Sequence, residues 1–94
     1  MAGARAVRLL IKGRVQGVGY RDWAMDEARA LGLDGWVRNL RNGYVEALVS
    51  GPEAEVDRMI EACRRGPALA RVSDIEITPA APPPERGFRR LPTA

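Results

Sequence analysis

The fold is decided where an apolar strand passes into a helix, in the segment Val7-Arg8-Leu9-Leu10-Ile11-Lys12-Gly13-Arg14-Val15-Gln16-Gly17-Val18-Gly19-Tyr20-Arg21. Val7, Leu9 and Ile11 recur at every second position, which is the period of a β-strand with one apolar face. A helical spacing of apolar residues begins near Arg21. Between the two, glycines allow a tight turn and a close approach of backbone N–H groups to a ligand. The segment therefore predicts a strand, a glycine-rich loop and a helix.

The glycine-rich loop is also a candidate anion site. The helix behind it presents unpaired N–H groups and a partial positive charge at its N-terminus. Arg21 lies in the first turn of this helix, where its positive charge is unfavourable next to the partial positive charge of the helix N-terminus. A residue that is unfavourable for local structure is a candidate for a functional role. The expected ligands of a phosphate-like dianion are the Arg21 guanidinium and the backbone N–H groups of Val15, Gln16, Gly17, Val18, Gly19 and Tyr20. The alternative is a structural turn with a solvated arginine, and composition alone does not separate the two.

The loop matches neither of the common nucleotide-binding motifs. A Walker loop needs Gly-Lys-Ser or Gly-Lys-Thr, but Gly19 is followed by Tyr20 and Arg21. A dinucleotide fingerprint that starts at Gly17 needs a third glycine where the chain has Asp22. The loop therefore predicts a phosphate-like anion without indicating a nucleotide.

Periodicity along the rest of the chain predicts the order of the elements. It indicates a helix over residues 21–32, followed by strands over 36–40 and 44–49 that are joined by a two-residue hairpin turn at Asn42-Gly43. A second helix carries Val56, Met59, Ile60 and Cys63 at helical spacing and ends at Gly66-Pro67. A strand over about 72–78 and an edge strand over 87–91 complete the pattern. This βαββαβ order is typical of an α+β sandwich of the ferredoxin-like kind. We expect a mostly antiparallel sheet with two helices on one face. Residues 1–94 are expected to form one domain, with an ordered core over about 6–91.

Composition narrows the class of protein. The apolar run over residues 7–11 is short and contains Arg8, so we expect neither a signal peptide nor a membrane-spanning segment. Cys63 is the single cysteine and cannot form an internal disulfide, which fits a reducing compartment. We therefore expect a cytoplasmic protein without a membrane partner, and a monomer.

The chain contains no histidine. This removes the commonest general base and the commonest metal ligand, and with one cysteine it leaves no zinc site. We therefore expect no metal and no cofactor, and an enzyme made of these residues has to work by positioning and electrostatics. The net charge of +3 suits an anionic ligand, but it fits simple solubility equally well.

A second candidate residue is Asn39. It lies on the same strand face as Val37, which the helices are expected to cover, and a buried carboxamide costs free energy unless it is hydrogen-bonded. One interpretation is an asparagine that bonds to local backbone and holds the hairpin. The other is a donor and acceptor that holds a water molecule beside the anion site. The residue alone favours the first interpretation.

Together the two segments resemble the signatures of the acylphosphatase family. Residues 11–21 are similar to the family's phosphate-binding signature, and residues 35–51 are similar to its second signature. The resemblance implies a small metal-free enzyme that hydrolyses the carboxyl–phosphate bond of an acyl phosphate, giving a carboxylate and inorganic phosphate. It implies phosphate binding by Arg21 and water positioning by Asn39, with a small acyl phosphate as the partner.

Two positions depart from the family pattern. Asn42 stands where aspartate is common, and Arg90 stands where an apolar residue is expected. Asn42 favours the same turn as aspartate. Arg89 and Arg90 are expected to be solvated charges of an edge strand, so neither departure is expected to affect the chemistry.

Other classes of function compete with the enzyme. The fold and mild basicity also suit an RNA-recognition module, but such modules stack bases on aromatic residues of the middle strands, where this chain offers only Tyr44. We therefore expect no nucleic-acid partner. A non-catalytic anion-sensing or scaffold domain stays open. A domain of a larger carbamoyl-handling protein is disfavoured, since these 94 residues hold no second domain and no zinc-binding cysteines.

Overall fold

The computed structural model describes residues 3–94 and arranges them as five strands and two helices. The elements are β1 (Ala4–Arg14), α1 (Tyr20–Ala30), β2 (Asp34–Asn39), β3 (Val45–Pro52), α2 (Glu53–Arg65), β4 (Arg71–Pro79) and β5 (Phe88–Arg90). No helix in this part of the chain is long and apolar enough to cross a membrane. The element order confirms the expected α+β sandwich with a short last strand.

The strands form one sheet in the order β4-β1-β3-β2-β5. β1 is antiparallel to β3 and β4, and β2 is antiparallel to β3, which confirms the mostly antiparallel sheet. β5 pairs with β2 in parallel and places Arg90 opposite Val37. The C-terminal strand therefore lies next to the strand that carries Asn39. A three-residue strand shows no period, so the sequence could not indicate this parallel pair.

The hydrophobic core lies between the sheet and the two helices. Val7, Leu9 and Ile11 alternate along β1, are fully buried, and belong to one core cluster with the apolar side of α2. Phe88 is buried in the same cluster and anchors β5. The apolar face of β1, which repeats every second residue, thus packs against the apolar face of α2, which repeats at helical spacing, as their sequence patterns predicted.

The other face of the sheet carries charges. The Glu46 carboxylate is almost fully buried there and forms ion pairs with Arg8 and with Arg38, whose Nε lies 2.6 Å from Oε1. The Arg38 guanidinium also lies over the Trp36 ring, 4.7 Å from its centroid. Arg38 therefore faces away from Asn39, its neighbour on the strand, as alternation along a strand requires.

The predicted two-residue hairpin turn is wrong. A two-residue turn at Asn42-Gly43 needs a positive φ at its first central residue, Asn42, but no non-glycine residue within 3–94 has one. Instead the Leu40 N–H bonds to the Tyr44 carbonyl at 2.8 Å, and the Gly43 N–H bonds back to the Leu40 carbonyl at 3.1 Å. Only Gly43, with φ of 96°, takes the positive-φ position, so the loop spans three residues. The Asn42 side chain accepts the Tyr44 N–H, which holds this longer loop.

The contact between α1 and α2 buries two ionisable side chains. The Tyr20 hydroxyl donates a hydrogen bond to the Cys63 carbonyl at 2.6 Å, and Cys63 is fully buried. Burial raises the pKa of the Cys63 thiol from its ordinary value near 9 to about 12. Burial and the contact with Cys63 likewise raise the pKa of the Tyr20 hydroxyl well above its ordinary value. The cysteine is therefore an unreactive part of the core.

We expect the protein to lose stability in alkali. The unfolded chain ionises Cys63 near pH 9, whereas the folded chain holds the proton to about pH 12, so this contribution is complete below about pH 9 and is lost as the pH rises toward 12. Urea unfolding at several pH values should show the free energy of unfolding falling above about pH 9, and falling less steeply in Cys63→Ala. An equal slope in both proteins would contradict the prediction. A thiol reagent should react with Cys63 only when the native protein unfolds.

Candidate active site

The predicted anion loop follows β1, precedes α1, and forms one wall of a cleft of about 180 Å³. The other walls come from the end of β2 and from β5. The cleft is lined by Val15, Gln16, Gly17, Gly19, Tyr20, Arg21, Asp22, Asn39 and Arg90. The structure thus brings the loop, Arg21 and Asn39 together in one place. Val18 does not line the cleft, since its side chain packs against the core, and its N–H remains a predicted ligand only.

The backbone N–H groups of the loop are free of partners inside the described chain. Within residues 3–94, the loop and cap hydrogen bonds use none of the N–H groups of residues 15–20. Gly19 is the N-cap of α1, with φ of 77° and no side-chain cap, so the first turn of the helix keeps its donors. Gly17 also has a positive φ, of 72°. These two glycines shape a loop whose donors are available to a ligand.

The Arg21 side chain lies half-buried in the cleft. Its guanidinium forms no ion pair and no hydrogen bond with another residue of the described chain. A guanidinium held in a cleft without a carboxylate partner is available for an anion, and its fork matches two oxygens of a phosphate. The position of Arg21 therefore favours the anion site over the solvated turn residue.

Asn39 ends β2 with its side chain in the same cleft. The carboxamide makes no hydrogen bond within residues 3–94, although the Asn39 carbonyl accepts the Ala94 N–H at 3.0 Å. The local role considered for Asn39 belongs instead to Asn42, whose side chain holds the hairpin. The Asn39 side chain therefore offers one donor group and one acceptor to whatever occupies the cleft.

Gln16 connects the anion loop to the hairpin after Asn39. Its Nε2 donates to the Leu40 carbonyl at 2.7 Å and to the Tyr44 carbonyl at 2.8 Å. These bonds cross 24 and 28 residues of sequence. Gln16 thereby fixes the distance between the loop donors and Asn39.

Replacing Gln16 with leucine is expected to weaken binding of inorganic phosphate by about tenfold, since loop donors are only effective when held in place. The free energy of unfolding should fall by about 1–2 kcal/mol, because two hydrogen bonds are lost while both carbonyls keep a backbone donor. Titration by calorimetry and urea unfolding measure the two effects. Gln16→Glu keeps the shape but cannot donate, so its retention of native phosphate affinity would contradict this role.

Arg90 was expected to be a solvated charge of an edge strand, but the structure places it in the lining of the cleft and pairs it with Asp22. β5 runs beside β2 and brings the Arg90 side chain to the cleft, where Nη1 lies 2.7 Å from Oδ1 of Asp22. The two residues are 68 positions apart, so no local pattern could have paired them. The available signal was a charged residue at a position where the family pattern has an apolar one.

The described residues contain a larger cavity, of about 350 Å³, at the other end of α1 between Arg29 and Phe88. It includes neither Arg21 nor Asn39. No group of three or more His, Cys, Asp or Glu side chains within residues 3–94 is arranged to hold a metal ion. The smaller cleft is the one that gathers unpaired polar groups.

Comparison with known proteins relates the chain to one family. The family model for acylphosphatase matches residues 7–90. An acylphosphatase of Rhodospirillum rubrum is 54% identical over 83 residues, covering 88% of this chain and 91% of that protein. One of Azorhizobium caulinodans is 58% identical over 84 residues, covering 88% and 90%. The crystal structure of an acylphosphatase from Bacillus subtilis matches with a TM-score of 0.89 at 34% identity, covering 95% of this chain and 99% of that one.

Proposed function

This chain belongs to the acylphosphatase family, whose members hydrolyse acyl phosphates, and we propose that the cleft at Arg21 and Asn39 is where it does so. The observation that carries the proposal is the meeting of three sets of unpaired groups in one cleft. The loop amides of residues 15–20, the Arg21 guanidinium and the Asn39 carboxamide all lack partners within the described chain. A phosphoryl group and a water molecule satisfy all three.

In this proposal the loop and Arg21 bind the phosphoryl group. The amides of residues 15–20 and the helix N-terminus supply oriented donors, and Arg21 supplies a charged fork. Phosphoryl transfer depends mainly on holding the equatorial oxygens and on stabilising their charge. These groups are arranged before the substrate arrives, so little reorganisation is needed during the reaction.

Asn39 then directs the attacking water. Its carboxamide can accept one hydrogen bond from the water and donate another to the phosphoryl group, which aligns the water for in-line attack. An amide cannot act as a base, so the proton of the water passes to a phosphoryl oxygen of the substrate. The leaving group is a carboxylate with a pKa of about 4, so it departs without a general acid. The reaction therefore needs no histidine, and the chain has none.

The proposal extends to a metal-free, monomeric protein of the cytoplasm. A carboxylate leaving group and a ready-made donor set support catalysis without a metal. The single, buried, unpaired cysteine supports a reducing compartment. A small acyl phosphate is the only partner that the mechanism requires.

Hydrolysis of benzoyl phosphate in EDTA tests the activity, and two-dimensional NMR with inorganic phosphate tests the site. We expect turnover that EDTA does not reduce and that inorganic phosphate inhibits competitively. Phosphate should shift the amide resonances of residues 15–20, while those of residues 4–6, at the opposite end of β1, stay unchanged. Turnover without shifts in the loop would place the active site elsewhere. Loop shifts without turnover above the spontaneous rate would favour an anion-sensing domain instead.

A further inference from the structure

We propose that Arg90 makes the cleft selective for acyl phosphates whose acyl group carries a negative charge of its own. This inference rests on the proposed function and adds a substrate class to it. It starts from the second guanidinium in the cleft, which comes from a different element than Arg21.

The C-terminal strand holds Arg90 in place beside Val37, two residues before Asn39. Arg90 pairs with Val37, and the next residue, Leu91, donates its N–H to the Val37 carbonyl at 2.8 Å. The Ala94 N–H then bonds to the Asn39 carbonyl at 3.0 Å. Arg90 is therefore fixed at the cleft by backbone bonds on its C-terminal side.

The Arg90 side chain lies at the mouth of the cleft. It is 45% exposed and is oriented by Asp22, with Nη1 2.7 Å from the carboxylate. The guanidinium has five N–H donors, and Asp22 uses only some of them, so the others remain available to a ligand. The lining of the whole cleft holds two arginines and one aspartate, so the cleft keeps a net positive charge when the chain carries no ligand.

The acyl group is the part of the substrate that reaches Arg90. The loop amides and Arg21 already provide enough donors for the phosphoryl oxygens. The cleft of about 180 Å³ is larger than a phosphoryl group and is also lined by Arg90, so part of the acyl group shares the cleft with Arg90. A carboxylate or phosphate on that group meets Arg90, whereas an uncharged acyl group leaves it solvated.

The neighbouring Arg89 provides a matched control. It lies on the same short strand, is 50% exposed, and pairs with Glu85 at 3.0 Å. Strand alternation turns its side chain to the other face of the sheet, and Arg89 does not line the cleft. Removing Arg89 changes the net charge of the protein as much as removing Arg90 does, but it leaves the cleft intact.

The test compares kcat/KM for 3- and 4-carboxybenzoyl phosphate with kcat/KM for benzoyl phosphate. The native protein, Arg90→Leu, Arg90→Lys and Arg89→Leu are measured with each substrate. Differences in leaving-group reactivity are common to all four proteins and cancel when the ratios are compared. For whichever carboxylated substrate the native protein prefers, we expect Arg90→Leu to lower the ratio of its kcat/KM to that of benzoyl phosphate about three- to fivefold. This is the effect expected from the loss of one exposed ion pair. Arg90→Lys should retain part of the selectivity, Arg89→Leu should retain all of it, and added salt should reduce the native ratio.

Several outcomes would overturn the proposal. An unchanged ratio in Arg90→Leu would make Arg90 a solvated partner of Asp22 only. An equal loss on charged and uncharged substrates would place Arg90 on the phosphoryl group. Loss of selectivity in Arg89→Leu would reduce the effect to net charge. Absence of native turnover on benzoyl phosphate is a different result, because it removes the proposed function itself and this inference with it.

Discussion

Replacing Arg21 with glutamine is expected to lower kcat/KM for benzoyl phosphate by about a thousandfold or more in a protein that stays folded. Loss of one neutral donor from an oxyanion site costs about 10²–10³ in rate, and this guanidinium supplies a full charge as well as a two-pronged donor. Arg21 has no partner among residues 3–94, so the substitution breaks no bond that stabilises the fold. Steady-state kinetics measure the loss of kcat/KM, and circular dichroism with urea unfolding shows whether the variant stays folded.

Two further variants sharpen the Arg21 prediction. Arg21→Lys keeps the charge but loses the planar fork, so it should recover only a small part of the activity. Arg14→Gln is the matched control, since Arg14 is an exposed arginine near the same loop that does not line the cleft. It should keep near-native activity. Comparable losses in Arg14→Gln and Arg21→Gln would show that the overall positive field, and not the Arg21 fork, stabilises the transition state.

Replacing Asn39 with alanine is expected to lower kcat for benzoyl phosphate by about a hundredfold while the inhibition constant of inorganic phosphate changes little. In the proposed mechanism the loop and Arg21 hold the phosphoryl group and the carboxamide aligns the water, so its loss falls mainly on the chemical step. The Asn39 side chain makes no hydrogen bond within the described chain, so stability should be nearly unchanged. Kinetics at saturating substrate and competitive inhibition by phosphate separate the two effects.

The Asn39 prediction also tests the route of the proton. Asn39→Asp introduces a possible base, and if the attacking water needed one, this variant would gain activity as the pH rises. We expect it to be as slow as Asn39→Ala, because the carboxylate repels the phosphoryl dianion. Asn42→Ala, on the same hairpin but outside the cleft, should lose about 1 kcal/mol of stability and little activity. A rise of the phosphate inhibition constant in Asn39→Ala would make Asn39 a binding residue instead.

The regular elements and half of the site could be predicted from local patterns. Each element buries one face, so buried residues recur at every second position on β1, at Val7, Leu9 and Ile11, and at helical spacing on α2. Arg21 was recognisable because it contradicts the helix dipole where a site could lie. Asn39 was ambiguous by itself, because a polar residue on a buried face is equally consistent with a local hydrogen bond and with a ligand.

The errors occurred where local chemistry had two solutions or where distant residues meet. Asn42 and Gly43 suit both a two-residue and a three-residue turn, and the bond from the Tyr44 N–H to the Asn42 side chain accompanies the longer one. Arg90 was expected in solvent because an edge strand ordinarily presents its charges to water. Its contact with Asp22 exists only because β5 docks in parallel beside β2.

The sequence by itself determined which residues form strands and helices, which face of each is buried, and which loop is the candidate anion site. Those properties follow from periodicity and from backbone freedom at Gly17 and Gly19, which are local. Only the tertiary structure decided that Asn39 lies across from the loop, that Gln16 fixes the distance between them, and that Arg90 lies at the mouth. Periodicity reports that a face is buried but not what covers it, so contacts between distant segments depend on strand order and register.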